Sequence, residues 1–113
     1  MPKGFKNVSS LLLNGDMSQA TLESKHVDIS CMDNIGLQIV WTGTPTGTLE
    51  CDVSLDQVSW IPLTFNPAIN QPAGASGTLY LDLNQLSAMW LRVVYTRVSG
   101  SGTLNVQEAS KSV

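Results

Sequence analysis

Apolar and polar residues alternate with a period of two along most of this chain, the mark of strands with one buried face. The clearest run is 48–55, with Leu49, Cys51, Val53 and Leu55 on one face and Thr48, Glu50, Asp52 and Ser54 on the other. Residues 35–42 bring Ile35, Leu37, Ile39 and Trp41 together, and 78–83 set Leu79, Leu81 and Leu83 against Tyr80 and Asp82. Residues 26–31 place Val27, Ile29 and Cys31 opposite His26, Asp28 and Ser30. In 59–65, Ile61, Leu63 and Phe65 share a face, and Pro62 marks that strand as an edge or an interrupted one. Residues 89–98 are apolar on both faces, Met89, Leu91, Val93 and Tyr95 against Trp90, Val94 and Val98, as in a strand covered on both sides. Leu104 and Val106 close the series in 102–108, and two short pieces at 5–13 and 18–23 read as edge strands.

Turn chemistry separates the runs. Asn14-Gly15-Asp16 and Asp33-Asn34 are turn signals, while Gly43-Thr44-Pro45-Thr46-Gly47 and Ser99-Gly100-Ser101-Gly102 read as hairpin loops. Ile39–Leu49 and Val93–Leu104 repeat one design, a β-rich run passing through a Gly-rich loop into Gly-Thr-Leu. Shared turn physics explains that echo, or else a pseudo-symmetric pair at corresponding places in the fold. Residues 66–77 form a loop rich in Pro, Ala, Gly and Asn, of a length often used for binding. The pattern predicts an all-β fold, a single β-sandwich or jelly-roll-like domain over 1–113 of about eight short antiparallel strands. Residues 1–6 would be an N-terminal arm and 110–113 a tail. Leu37, Ile39, Leu49, Cys51, Val53, Leu81, Leu91 and Val93 are expected to be buried.

Composition narrows the function classes. The 113 residues suit one domain. Charged residues are 13%, about half the usual share. Neutral polar residues replace them, which suits a protein that covers or joins other proteins. Lys and Arg number 6 against 9 Asp and Glu, and the basic residues are scattered. No positive stripe is available to displace counterions from phosphates, so no nucleic-acid partner is expected. No apolar run approaches the roughly 20 residues that span a bilayer, and no signal-peptide h-region is present. Synthesis in a cytoplasm without export, and no membrane partner, are the expectations.

Catalytic constellations are missing from the sequence. His26 is the sole histidine, and without a nucleophile motif it reads as a solvated residue on a polar face. Asp52 and Asp56 would lie roughly 13 Å apart along a strand, too far for a retaining carboxylate pair. Glu50 and Asp52 read as a solvated face. No phosphate-binding Gly loop occurs. Asp33, Asn34 and Asp56 are weak Ca²⁺ candidates without a coordination pattern. Cys31 and Cys51 fall on apolar faces and read as buried reduced thiols, with a disulfide between facing strands as the alternative. No enzyme activity, cofactor or metal is expected. Trp41 and Tyr95 follow the core alternation, whereas Trp60 and Trp90 are out of phase with it.

Two segments within residues 35–109 carry a resemblance: GTLECDVSLDQVSWIPLTF (47–65) and AMWLRVVYTRVSGSGTLNVQ (88–107). The first holds a Ser-x-Asp-x-x-x-Trp turn, Ser54, Asp56 and Trp60; the second a Trp-x-Arg-Val-x-Tyr strand with a Gly-rich loop. Together they resemble small β-sandwich virion proteins of tailed bacteriophages, of the head decoration (cement) type. The turn also resembles that of discoidin-like carbohydrate-binding sandwiches. Asp56 should bond backbone N–H groups there, and Trp60 should cover the end of the hairpin. Gln57 stands where that pattern has glycine. The phage resemblance implies a structural protein located in the virion. It would bind the major capsid protein or other virion proteins on the outside of the head, and would form a homo-oligomer. A neck, tail or fibre-base component is the nearby alternative, and a carbohydrate- or cell-surface-binding module the distant one. The expected contacts are Phe5 and Lys6 in the N-terminal segment, and Pro67, Ile69 and Pro72 in the long loop, where prolines limit the entropy lost on binding.

Overall fold

The alternating segments become nine strands. The structure, a computed structural model, describes residues 6–29, 34–65, 69–84 and 88–111. The strands are β1 (Lys6–Asp16), β2 (Thr21–Glu23), β3 (Val27–Asp28), β4 (Asn34–Gly43), β5 (Thr46–Ser54), β6 (Ile61–Pro62), β7 (Gly77–Asn84), β8 (Trp90–Ser99) and β9 (Gly102–Lys111). They build two antiparallel sheets. The first has the order β1-β9-β4-β7; the second has β2-β8-β5-β6, with β3 also on β8. The fold is the all-β sandwich the alternation predicts, with nine strands rather than about eight.

The inward positions supply the core. Ile35, Leu37, Ile39 and Trp41 of β4, with Leu104 and Val106 of β9, face Leu49 and Cys51 of β5 and Leu91, Val93 and Tyr95 of β8. Seven of the eight residues expected in the core are buried; Val53 is half-buried, because it stands where β5 meets an open cleft. Leu55 departs further. The strand ends at Ser54, so Leu55 is 70% exposed. Ile61 and Met89 are exposed as well, Ile61 opening β6 and Met89 just before β8. Cys51 is a free, buried thiol, pushed up to about 12 by burial and then by neighbouring Asp52, which makes it inert. Cys31 and Asp33 lie outside the described residues.

Both expected hairpin loops turn out to cross between sheets. Residues 44–45 carry the chain from β4 in the first sheet to β5 in the second, and 100–101 carry it back from β8 to β9. The two crossings stack, with Thr44 N–H donating to the Ser101 carbonyl at 2.9 Å. Gly100, at a φ of +76°, lies so close to the Thr44 carbonyl that a side chain has no room. Since β4 pairs with β9 and β5 with β8, the internal echo is the pseudo-symmetric pair, built from arches instead of hairpins.

Two local readings change. Asn14-Gly15-Asp16 is no turn: it belongs to β1, which bulges there with Asn14 at a φ of +53°. Residues 110–111 are strand rather than tail, since β9 runs through Lys111.

Candidate functional site

The Ser54–Trp60 turn links β5 to β6 and is held by its own side chains. Ser54 Oγ accepts the N–H groups of Asp56 (3.1 Å) and Gln57 (2.8 Å). Asp56 Oδ1 accepts those of Val58 and Ser59, both at 2.9 Å, as the motif predicts. These bonds, Ser59 first, then Val58 and the Ser54 hydroxyl, hold the Asp56 carboxyl below its usual range. Gln57 sits at a φ of +62°, the left-handed region that the usual glycine would enter freely. The Ser54 carbonyl accepts Met89 N–H at 3.2 Å, tying the turn to the start of β8.

One side of this turn is apolar and open. Leu55 is 70% exposed, Val58 80% and Ile61 65%. Beside them lies a cleft of about 330 Å³ lined by Val53, Leu55, Ile61 and Ala88, with Ser54, Asp56 and Ser59.

The other side is polar and closed. Trp60 lies 4.4 Å over the Arg92 guanidinium, and the His26 ring packs on it at 4.6 Å between centroids. Arg92 Nε donates to Asp52 Oδ2 at 3.0 Å, and its Nη1 reaches Glu23 at 3.1 Å. His26 Nε2 meets Glu23 at 3.0 Å and Nδ1 meets Gln57 Oε1 at 3.1 Å. His26 arrives there because β2 and β3 are one edge strand broken by a bulge, with Ser24–His26 opposite only Arg92 and Val93.

One expectation is corrected here: Asp52 is not on a solvated face but is 2% exposed beneath Arg92. His26 is exposed, as expected, and also contacts Glu23, Gln57 and Trp60. Trp60 carries Arg92 and His26 against its ring. Glu23 is held below its usual range, chiefly by the bond to His26. Glu50 is pushed above it, first by hydrogen bonding to Asp52, then by burial. This network pins Trp60 and the turn to the sheet. It supplies no nucleophile beside the histidine.

Of the five expected contact residues, Phe5 and Pro67 lie outside the described residues, and Lys6 opens β1, paired with Lys111 of β9. Pro72 is buried, so its ring is not presented to a partner, and its carbonyl accepts Gly47 N–H at 3.2 Å. Ile69 is half-buried against Leu49, Leu63 and Phe65. The loop covers the edge of β5: Gln71 Oε1 accepts Leu49 N–H, and Gln71 Nε2 donates to the Leu49 carbonyl at 3.0 Å. Asp56, one Ca²⁺ candidate, has its carboxylate committed to the turn, and among the described residues no acidic, histidine or cysteine group of three could hold a metal. The exposed residues that matter, Leu55, Val58 and Ile61, escaped the alternation, which put Leu55 and Ile61 inside. The Ser54-x-Asp56 turn signal and Pro62 were the cues that the strand stops between them.

No family model and no curated protein matches the sequence. Solved structures resemble the fold. The SPBc2 prophage-derived protein YomS is similar over 99% of this chain and 97% of its own, with a TM-score of 0.66 at 14% identity. A Bacillus endospore appendage protein, from appendages that form disulfide-linked pili, covers 99% and 92% with a TM-score of 0.56 at 10% identity. A chain of infectious bursal disease virus, Gx strain, gives a TM-score of 0.56 at 10% identity over 96% of this chain and 32% of that one. At these identities the likeness is one of fold. Among the described residues, no helix is long and apolar enough to cross a membrane.

Proposed function

We propose that this protein is a non-enzymatic structural component of a bacteriophage particle. It docks on another virion protein through the apolar end formed by the Ser54–Trp60 turn. The observation that carries this is the exposure of Leu55 and Ile61 on the lining of one open cleft, with Val58 exposed on the adjoining turn, which five hydrogen bonds hold. Apolar side chains scattered singly on a surface are ordinary; a group rimmed by polar residues is the pattern of a contact site. A turn already fixed in shape loses little entropy when it binds. The fold shared with a prophage-derived protein along nearly the whole length of both chains supports the phage assignment. The resemblance in 47–65 and 88–107 favours head decoration, with the major capsid protein as partner.

The test is the double variant Leu55→Ser/Val58→Ser. Both side chains are exposed, so stability should stay within about 0.5 kcal/mol of wild type. Co-sedimentation with phage particles should fall by about tenfold or more, since two anchors contributing about 1 kcal/mol each exceed the roughly 1.4 kcal/mol of a tenfold change. Wild-type co-sedimentation by the double variant would remove this surface from the assignment.

A further inference from the structure

A sheet edge exposes a row of unpaired N–H and C=O groups and invites another strand, so edges are commonly blunted. Three of the four edges here are. β1 carries two register shifts, between Ser10 and Leu12 and between Leu12 and Gly15. The β2–β3 edge is broken at Ser24, whose Oγ takes the Val93 N–H that a continuous strand would have bonded through its backbone. The β6 edge is two residues long, includes Pro62, and gives way to the loop whose Gln71 amide caps Leu49.

β7 has none of these devices. Its eight residues, Gly77–Asn84, pair with β4 in unbroken register from Trp41↔Gly77 to Asn34↔Asn84. It holds no proline, lysine or arginine, and its one charge is Asp82. Among the described residues no strand lies on its other side. Leu79 faces the core yet is only half-buried, and Tyr80 is 67% exposed.

We infer that β7 is a self-association edge: two copies pair β7 with β7 antiparallel about a two-fold axis, joining their first sheets into one. The occupant is a second copy for two reasons. Strand addition works best with a regular partner edge, and the regular edge a second copy offers is β7 itself, so the contact is isologous and closes at a dimer. The strand is also self-complementary. Directly opposed residues in an antiparallel pair share a face, so the axis passes Tyr80 or Leu81 when overlap is greatest. Asp82 then faces Thr78 or Tyr80 of the partner subunit, a hydroxyl donor in either case, and never a second carboxylate. This goes beyond the docking role and uses neither Leu55 nor Val58.

Sedimentation equilibrium of the full chain tests it without any particle. Wild type should show a concentration-dependent monomer–dimer equilibrium. Tyr80→Lys/Asp82→Lys places like charges across the axis in either register and should weaken the dimer by about tenfold or more, with unchanged circular dichroism. Ser10→Lys, on the blunted β1 edge, should leave the dimer constant as it was. Hydrogen exchange supplies a readout that needs no variant: amide protection should rise with protein concentration in β7 and not in β1. A wild-type protein that stays monomeric overturns the inference, as does a dimer that survives the double substitution or protects other strands instead. Loss of particle binding with the dimer intact would bear on the docking surface alone.

Discussion

Gln57 is held at a φ of +62° and uses its side chain to contact His26. A non-glycine residue there costs about 1 kcal/mol in the left-handed region, while the exposed contact to His26 returns less. Gln57→Gly should therefore raise the unfolding temperature slightly, by a few degrees, as differential scanning calorimetry would show. A drop would mean that the His26 contact outweighs the strain. Glu50 offers a second residue-level test. Its carboxyl is pushed up because Asp52 stands beside it. A group whose folded pKa is raised stabilises the fold below its ordinary value, and that contribution is lost as pH rises through the raised value. In its ionised form Glu50 opposes Asp52, whose buried Oδ1 has no hydrogen-bond partner among the described residues. Glu50→Gln supplies an uncharged donor and should stabilise the protein by about 1 kcal/mol near pH 7, with the gain shrinking in acid. Urea titrations at the two pH values would check the sign. The strain at Gln57 was legible, since Gln57 stands where the turn pattern has glycine; the Glu50 effect was not. Glu50 and Asp52 alternate as a solvated face should. Arg92 covers Asp52 and Trp60 lies over Arg92, and both come from segments that only the folded sheet brings together.

The elements were legible where one face is wholly interior. β4, β5, β7 and β9 each show the alternation, and β8 shows an apolar run, because each has a neighbour or a core facing it for most of its length. The edges were less so. Asn14-Gly15 looks like a turn, and a bulge asks for the same residues, since both need a left-handed or side-chain-free backbone. The crossings at 44–45 and 100–101 look like hairpin loops because glycine permits either path; which one forms depends on which strands pair later. At this scale Ser24 carries the clearest prediction. Its hydroxyl stands in for a backbone acceptor, taking the buried Val93 N–H at 2.8 Å, while its own N–H donates to the Val93 carbonyl at 2.9 Å. Lys25 N–H then reaches the Leu11 carbonyl at 2.9 Å, so the same bulge ties the second sheet to the first. Ser24→Ala leaves a buried N–H without its partner and should cost about 1–3 kcal/mol in denaturant unfolding. Ser24→Thr, which keeps the hydroxyl, should cost less.

The whole molecule is organised so that the last strand in sequence is interior to the first sheet. β9 lies between β1 and β4, pairing with Lys6–Asp16 on one side and Asn34–Gly43 on the other. It also brings Leu104 and Val106 into the core and places Glu108, fully buried, level with Ser9 at 3.3 Å. Without β9, β1 has no strand partner in the first sheet, β4 keeps β7 alone, and the arch that braces Thr44 is gone. Since the closing contacts join residues far apart in sequence, loop-closure entropy is spent before they form, and folding should take milliseconds to seconds rather than microseconds. A chain ending at Ser101 should accordingly fail to fold: it should lack the dispersed amide spectrum of the full protein and expose apolar surface to a hydrophobic dye. A truncated chain ending at Ala109 removes the last rungs opposite Lys6 and Asn7 of β1 and opposite Asn34 and Ile35 of β4, and should remain folded with reduced stability. If the chain ending at Ser101 gave a cooperative unfolding transition, the second sheet would be stable by itself, and β9 would not be the strand on which closure of the sandwich depends.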